Sequence, residues 1–206
     1  MNMKTTKGLK IVSLAALVIL LISCNPLEKD YKSNSFIVIQ SIIGKDNLGN
    51  DSTVVFSDVL TNNVAYSDFV TVTLKAATLD PNPIMGTSQY SDIMLTRCVI
   101  TYLPADGSAP QEGVNVPAHY EVSLSQLLPV GTNVSFPLMI VRDVAKVNPP
   151  LSALAGDPTG LLECVARIDF YGHDLRNRDV TQVGFITVRF ADYVDQTTGG
   201  GTYPLP

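Results

Sequence analysis

The chain is 206 residues long, with a net charge of −5, 46% hydrophobic residues and no tryptophan. An acidic balance offers no electrostatic footprint for nucleic acid and no pull toward anionic lipid heads. The length suits one domain with a real core, and the two histidines, His119 and His173, leave little room for imidazole chemistry.

Residues 1–10 carry Lys4, Lys7 and Lys10 and no acid, and Ile11 to Ile22 follow with Ser13 as the one polar residue. A basic start, a short apolar run and then small residues make a secretory signal. A membrane-crossing helix needs roughly 20 apolar residues, and this run breaks at Asn25-Pro26. Leu21-Ile22-Ser23-Cys24 resembles the lipobox of bacterial lipoproteins: an aliphatic residue, a tolerant position, a small residue, then Cys. The resemblance implies a signal peptide over 1–23 and a mature chain that begins at Cys24. It also implies a diacylglycerol on the Cys24 sulfur and an acyl chain on its amine. One chain anchors only reversibly, whereas two or three hold a protein on the membrane. Asn25 stands where an Asp would signal inner-membrane retention, so the resemblance implies the outer membrane, facing the periplasm or the cell surface. Loss of Lys4, Lys7 and Lys10 takes the net charge from −5 to −8, so the lipid must do the membrane work.

Residues 24–34 read as a lipidated tether. Asn25 to Asn34 (NPLEKDYKSN) is polar and aperiodic, and ten residues span at most about 35 Å. From Ser35 the pattern changes to short runs rich in Val, Ile, Thr, Phe and Tyr, split by Gly, Pro, Asn and Asp, the mark of strands and turns. SFIVIQSII and STVVFSDVL are the first two. DFVTVTLKA alternates cleanly, with Val70, Val72 and Leu74 on one face and Thr71, Thr73 and Lys75 on the other, as a half-buried strand does. MLTRCVITYL puts Cys98, Ile100 and Tyr102 on one face, and HYEVSL puts Tyr120, Val122 and Leu124 together. NVSFPLMIVRD contains Pro137, which cannot donate to a ladder and places that strand on an edge or at a bulge. NPPLSALAGDPTG is a long loop. LLECVARIDFYG and VGFITVRFADY form a hairpin around GHDLRNRD, with Cys164, Ala166, Ile168 and Phe170 on one face of the first strand and Ile186, Val188 and Phe190 on one face of the second. Residues 196–206, with three consecutive glycines, read as a loose tail. No run of ten residues outside the leader reads as a helix.

Seven or eight strands with one apolar face each predict an all-β domain over 35–195, built as two antiparallel sheets stacked face to face. VTVTLKA, RCVITYL and the final hairpin ECVARIDFYGHD…VGFITVRFADY resemble the second, third and last two strands of bacterial immunoglobulin-like or fibronectin type III-like domains. The resemblance covers residues 35 to 193. It lacks the Cys…Trp…Cys signature of antibody domains, and it implies a β-sandwich that binds or supports another molecule, not a catalyst.

Cys24 consumed by lipid leaves Cys98 and Cys164. Export allows a disulfide between them, and burial as two small hydrophobes is the alternative. On the third and penultimate strands they are neighbours within one sheet, unlike the antibody bridge. His119, on a face with Glu121, and His173, beside Asp174, each lack a nearby Cys or second His, and a zinc site wants three or four ligands. No G-x-S-x-G elbow supports a hydrolytic triad. Calcium is the better chemical alternative: Asp46, Asn50 and Asp51 crowd one loop, and Asp174, Asn177 and Asp179 another, supplying the hard oxygens calcium needs. Asp and Asn also favour turns for local reasons. Tyr171 and Phe185 point outward on the last hairpin and are candidates for a partner surface. The expectation is therefore a non-enzymatic, cofactor-free lipoprotein module of the cell envelope. It meets the membrane through Cys24 and a protein partner through its edges and loops, and a calcium- or small-ligand-binding domain is the alternative.

Overall fold

The computed structural model describes residues 32–80 and 88–193. The leader at 1–23, Cys24 and the tail at 196–206 lie outside these residues. Of the described chain, 57% is strand and 7% helix, so the expected all-β class holds.

Among the described residues, nine strands form two sheets. The first sheet contains β1 (Ser35–Lys45), β2 (Asp51–Ser52), β4 (Asp68–Thr78) and β7 (Val134–Val141), in the order β2-β1-β4-β7. The second contains β3 (Val54–Asp58), β5 (Ile93–Pro104), β6 (Tyr120–Leu128), β8 (Leu162–Asp174) and β9 (Asp179–Ala191), in the order β3-β9-β8-β5-β6. All neighbours are antiparallel except β3 and β9, which run parallel from Val54 beside Thr187 to Asp58 beside Ala191. Two short elements interrupt the long connection from β7 to β8: α1 (Asp143–Lys146) and a 3-10 turn at Leu151–Leu154.

The strands form where the period of two runs longest, and their apolar faces are the buried ones. Val70, Val72 and Leu74 of β4, Cys98, Ile100 and Tyr102 of β5, Cys164, Ala166, Ile168 and Phe170 of β8, and Ile186, Val188 and Phe190 of β9 are all buried and belong to one hydrophobic cluster. Both sheets contribute to that cluster. Close approach between them is visible at Gly184 of β9. A Cβ there would lie 2.7 Å from Ile42 Cδ1 and 2.9 Å from Ile39 Cδ1 of β1, so the absence of a side chain lets the two strands meet.

Pro137 lies on β7, which is an edge strand, and a register shift follows close by, between Asp68 and Phe69 of the neighbouring β4. Two tyrosines of the other sheet reach across to this strand. The Tyr102 hydroxyl donates to the Ile140 carbonyl at 2.5 Å, and the Tyr120 hydroxyl donates to the Met139 carbonyl at 2.9 Å. Both rings are buried, so each hydroxyl needs such a partner, and desolvation pushes both phenols above their ordinary pKa.

Residues 32–34, assigned from sequence to the tether, are part of the fold. Ser33 is buried, its hydroxyl donates to Asp174 Oδ2 at 2.9 Å, and Arg178 donates to the Lys32 carbonyl at 2.8 Å.

Candidate interaction surface and buried polar network

The outer face of the five-stranded sheet carries an ordered set of side chains. Strand register sets Arg97 of β5 beside Tyr171 of β8, Arg167 of β8 beside Phe185 of β9, and Arg189 of β9 beside Phe56 of β3. The Arg97 guanidinium lies over the Tyr171 ring at 4.1 Å, and that of Arg189 lies 5.7 Å from the Phe56 ring centre. Each arginine also has an acid: Arg97 pairs with Glu121 at 2.9 Å, Arg167 with Asp169 at 2.8 Å and Arg189 with Glu163 at 2.5 Å. Exposed ion pairs of this kind add little stability. Their effect is positional, because Arg97 and Arg189, each held between a carboxylate and a ring, present an oriented guanidinium plane. Between these sets the face shows Val99, Val165 and Val183, all half-buried. Phe185 is 57% exposed, in line with its outward placement by alternation. Tyr171 also faces outward but is half covered by Arg97. It lines a shallow cleft of about 350 Å³ with Thr96, Arg97, His173, Asp179 and Thr181.

A second polar feature is buried. Lys146, on α1, has a side chain 1% exposed. Its ammonium donates to the Asp58 carbonyl at 2.6 Å and pairs with Asp68 Oδ2 at 2.9 Å. The same Asp68 oxygen accepts the buried Ser57 hydroxyl at 2.6 Å. The Asp58 carboxylate accepts from the Thr61 hydroxyl at 2.6 Å and from the Tyr193 backbone N–H at 3.0 Å. One network thus joins the end of β3, the start of β4, α1 and the residues after β9. Desolvation raises the Asp68 pKa and outweighs the opposing pull of Lys146 and the Ser57 hydrogen bond. Sequence reasoning passed over this cluster, since Lys146 falls in a connection read as loop and Asp68 at a strand start. The available signal was one lysine inside the apolar stretch Val-Ala-Lys-Val, a context in which a cation needs a partner.

The cysteines are not bonded. Both Cys98 and Cys164 are free and buried. In register Cys98 faces Phe170 and Cys164 faces Pro104. Six ladder positions separate them, about 20 Å along the strands, whereas a disulfide needs Cα atoms within about 7 Å. The disulfide alternative is therefore corrected to two core thiols. Burial, with a smaller contribution from Glu121 at Cys98 and from Asp106 and Glu163 at Cys164, pushes each thiol up to about 12.

The calcium candidates serve their own turns. Asp46 Oδ1 accepts the backbone N–H of Leu48 and of Asn50, both at 2.8 Å, its Oδ2 accepts the Asn50 amide at 3.2 Å, and Asp51 pairs with Lys45 at 2.6 Å. These hydrogen bonds, the Asn50 N–H first, hold the Asp46 carboxyl below its ordinary range. Asp174 is buried rather than exposed, and its Oδ1 accepts the N–H groups of Arg176 and Arg178 at 2.9 and 3.0 Å. Asn177 supplies the left-handed residue of that turn, with φ 62°, and Asp179 lies opposite His173 in the ladder. Among the described residues no three His, Cys, Asp or Glu side chains gather as a metal-binding group. His119 Nδ1 lies 2.6 Å from Glu112, and His173 Nδ1 lies 3.0 Å from the Asp174 carbonyl.

A scan against protein-family models finds no match, and comparisons with curated proteins and with solved structures find none either.

Proposed function

We propose that this chain is a lipid-anchored, non-enzymatic binding module of the bacterial cell envelope, built on an immunoglobulin-like or fibronectin type III-like β-sandwich. The sandwich reading draws support from strand order. The orders β1-β4-β7 and β9-β8-β5-β6 are those expected of strands A, B and E and of strands G, F, C and C′ in that family. The anchor reading draws support from the lipobox ending at Cys24, and Asn25 after it favours the outer membrane.

The observation that carries the binding role is the set of three arginines on the outer face of the five-stranded sheet, each paired with an acid and set by register beside an aromatic residue. Arginine and aromatic residues are enriched at protein interfaces and dominate their hot spots, and side chains already paired on a sheet face lose less freedom on docking. The test is a photo-crosslinking side chain introduced at Phe185 in the full-length protein in cells, with Thr71 on the outer face of the other sheet as control. A discrete envelope protein captured from Phe185 and not from Thr71 is the expected result. Identical capture from the two positions, or none from either, would remove this face as the docking surface.

A further inference from the structure

We propose that the end of the domain marked by Lys32, Leu79, Tyr90 and the β8–β9 turn rests on the surface of a phospholipid membrane, a reading that depends on the lipid anchor at Cys24. The chain enters the fold at this end and is clamped there. Arg178 donates to the Lys32 carbonyl at 2.8 Å and to Asn34 Oδ1 at 3.3 Å. The Ser33 hydroxyl donates to Asp174 Oδ2, and Asp174 Oδ1 orders the turn by accepting from Arg176 and Arg178. The Leu79 N–H donates to the Asn34 carbonyl at 2.8 Å and the Leu175 N–H to the Asp92 carbonyl at 3.2 Å. The point of entry, the β8–β9 turn and both ends of the β4–β5 connection are thus one fixed unit.

Chain length then limits the orientation. Eight Cα steps separate Cys24 from Lys32 and reach at most about 29 Å when fully extended. The thirteen residues of β8 rise about 40 Å from the opposite end of the domain to this one. With its lipid inserted, Cys24 cannot lift the entry end far enough to bring the opposite end down to the bilayer.

The chemistry of the entry end fits a membrane interface. Leu79, Tyr90 and Leu175 are 67%, 60% and 43% exposed. The Arg176 guanidinium lies 5.7 Å from the centre of the Tyr90 ring, and Lys32 is exposed beside them. Tyrosine at the headgroup level, leucine below it and long cations reaching outward are what an interface favours. Asp80, Asp92, Asp174 and Asp179 share this end with Lys32, Arg176 and Arg178, four acids against three cations, so it carries no net positive charge, and Asp92 is occupied by the Val130 N–H at 2.9 Å. The occupant is therefore a zwitterionic phospholipid surface met by apolar contact, with no requirement for anionic lipid.

The absence of native tryptophan makes the test direct. The lipidated full-length protein carrying Leu175→Trp is reconstituted into vesicles of brominated phosphatidylcholine, beside separate variants Leu161→Trp, at the opposite end of β8, and Phe185→Trp, on the sheet face. All three sites are exposed, so the core is untouched. Flotation of the vesicles reports the anchor, and bromine quenching reports proximity. Flotation with several-fold stronger quenching of the L175W reporter than of the other two is the expected result. Flotation with equal quenching, or with the F185W reporter quenched most, overturns the orientation and leaves the anchor intact. Failure to float with vesicles overturns the anchor and the orientation with it.

Discussion

Lys146 places a cation inside the fold. Its ammonium is out of water and meets a carboxylate and a carbonyl. Truncation to Ala leaves Asp68 without its cation, and removing one partner of a buried pair costs about 3–5 kcal/mol. Asp68 retains 24% of its side-chain exposure, which moderates that cost to about 2–4 kcal/mol, read as a lower urea midpoint. The double variant Lys146→Met/Asp68→Leu should recover most of the loss, because no buried charge remains. The sign of the Asp68 shift gives a second readout. A carboxyl whose pKa is raised in the folded state binds its proton more tightly there, so its contribution to stability falls as pH rises from the unfolded value to the folded one. Asp68→Asn removes that fall, and the variant should gain stability relative to the parent as pH rises from about 4, the unfolded carboxylate value. Stability profiles that stay parallel would refute the assignment. Cys98 and Cys164 make a simpler case: with their pKa values pushed up to about 12, neither thiol alkylates in the native protein, and intact mass should show both modified only after denaturation. No modification even in denaturant would mean that the two are bonded.

The edge strand β7 shows how an element is finished by its neighbours. Pro137 cannot donate to any added strand, and the hydroxyls of Tyr102 and Tyr120 occupy two of its carbonyls. Tyr102→Phe keeps the ring and strips the donor from the Ile140 carbonyl, and an orphaned buried acceptor costs about 1–3 kcal/mol. An unchanged unfolding free energy would show that water replaces the hydroxyl. The edge position of β7 was legible from Pro137, and the inner faces of β4, β5, β8 and β9 were legible from alternation, because a period of two survives wherever one face is buried. The parallel pairing of β3 with β9 was not, since register between segments so distant in sequence leaves no local trace. Nor was the α1 connection, where four helical residues fall below any periodic signal. At the candidate surface, the outward placement of Tyr171 and Phe185 was readable, but the arginine beside each ring is a product of cross-strand register. The role of the aspartates was not legible, because turn chemistry and metal chemistry call on the same side chains.

At the scale of the molecule, the turns at both ends close on their own side chains, and the core joins both sheets. Stability should therefore be indifferent to calcium: the melting temperature measured with millimolar calcium and with chelator should coincide, and a calcium-dependent rise would return Asp46 or Asp174 to the list of ligands. The parallel pair has a temporal consequence as well. A chain synthesised from its N-terminus presents β3 early and β9 last of the nine strands described, with β4 to β8 between them. Until β9 arrives, Val55 has no strand beside it and Phe170 and Ile168 lack one neighbour. The nascent domain consequently carries an unpaired strand and an uncovered core for most of its synthesis, and its folding waits on β9, as expected where paired strands lie far apart in sequence.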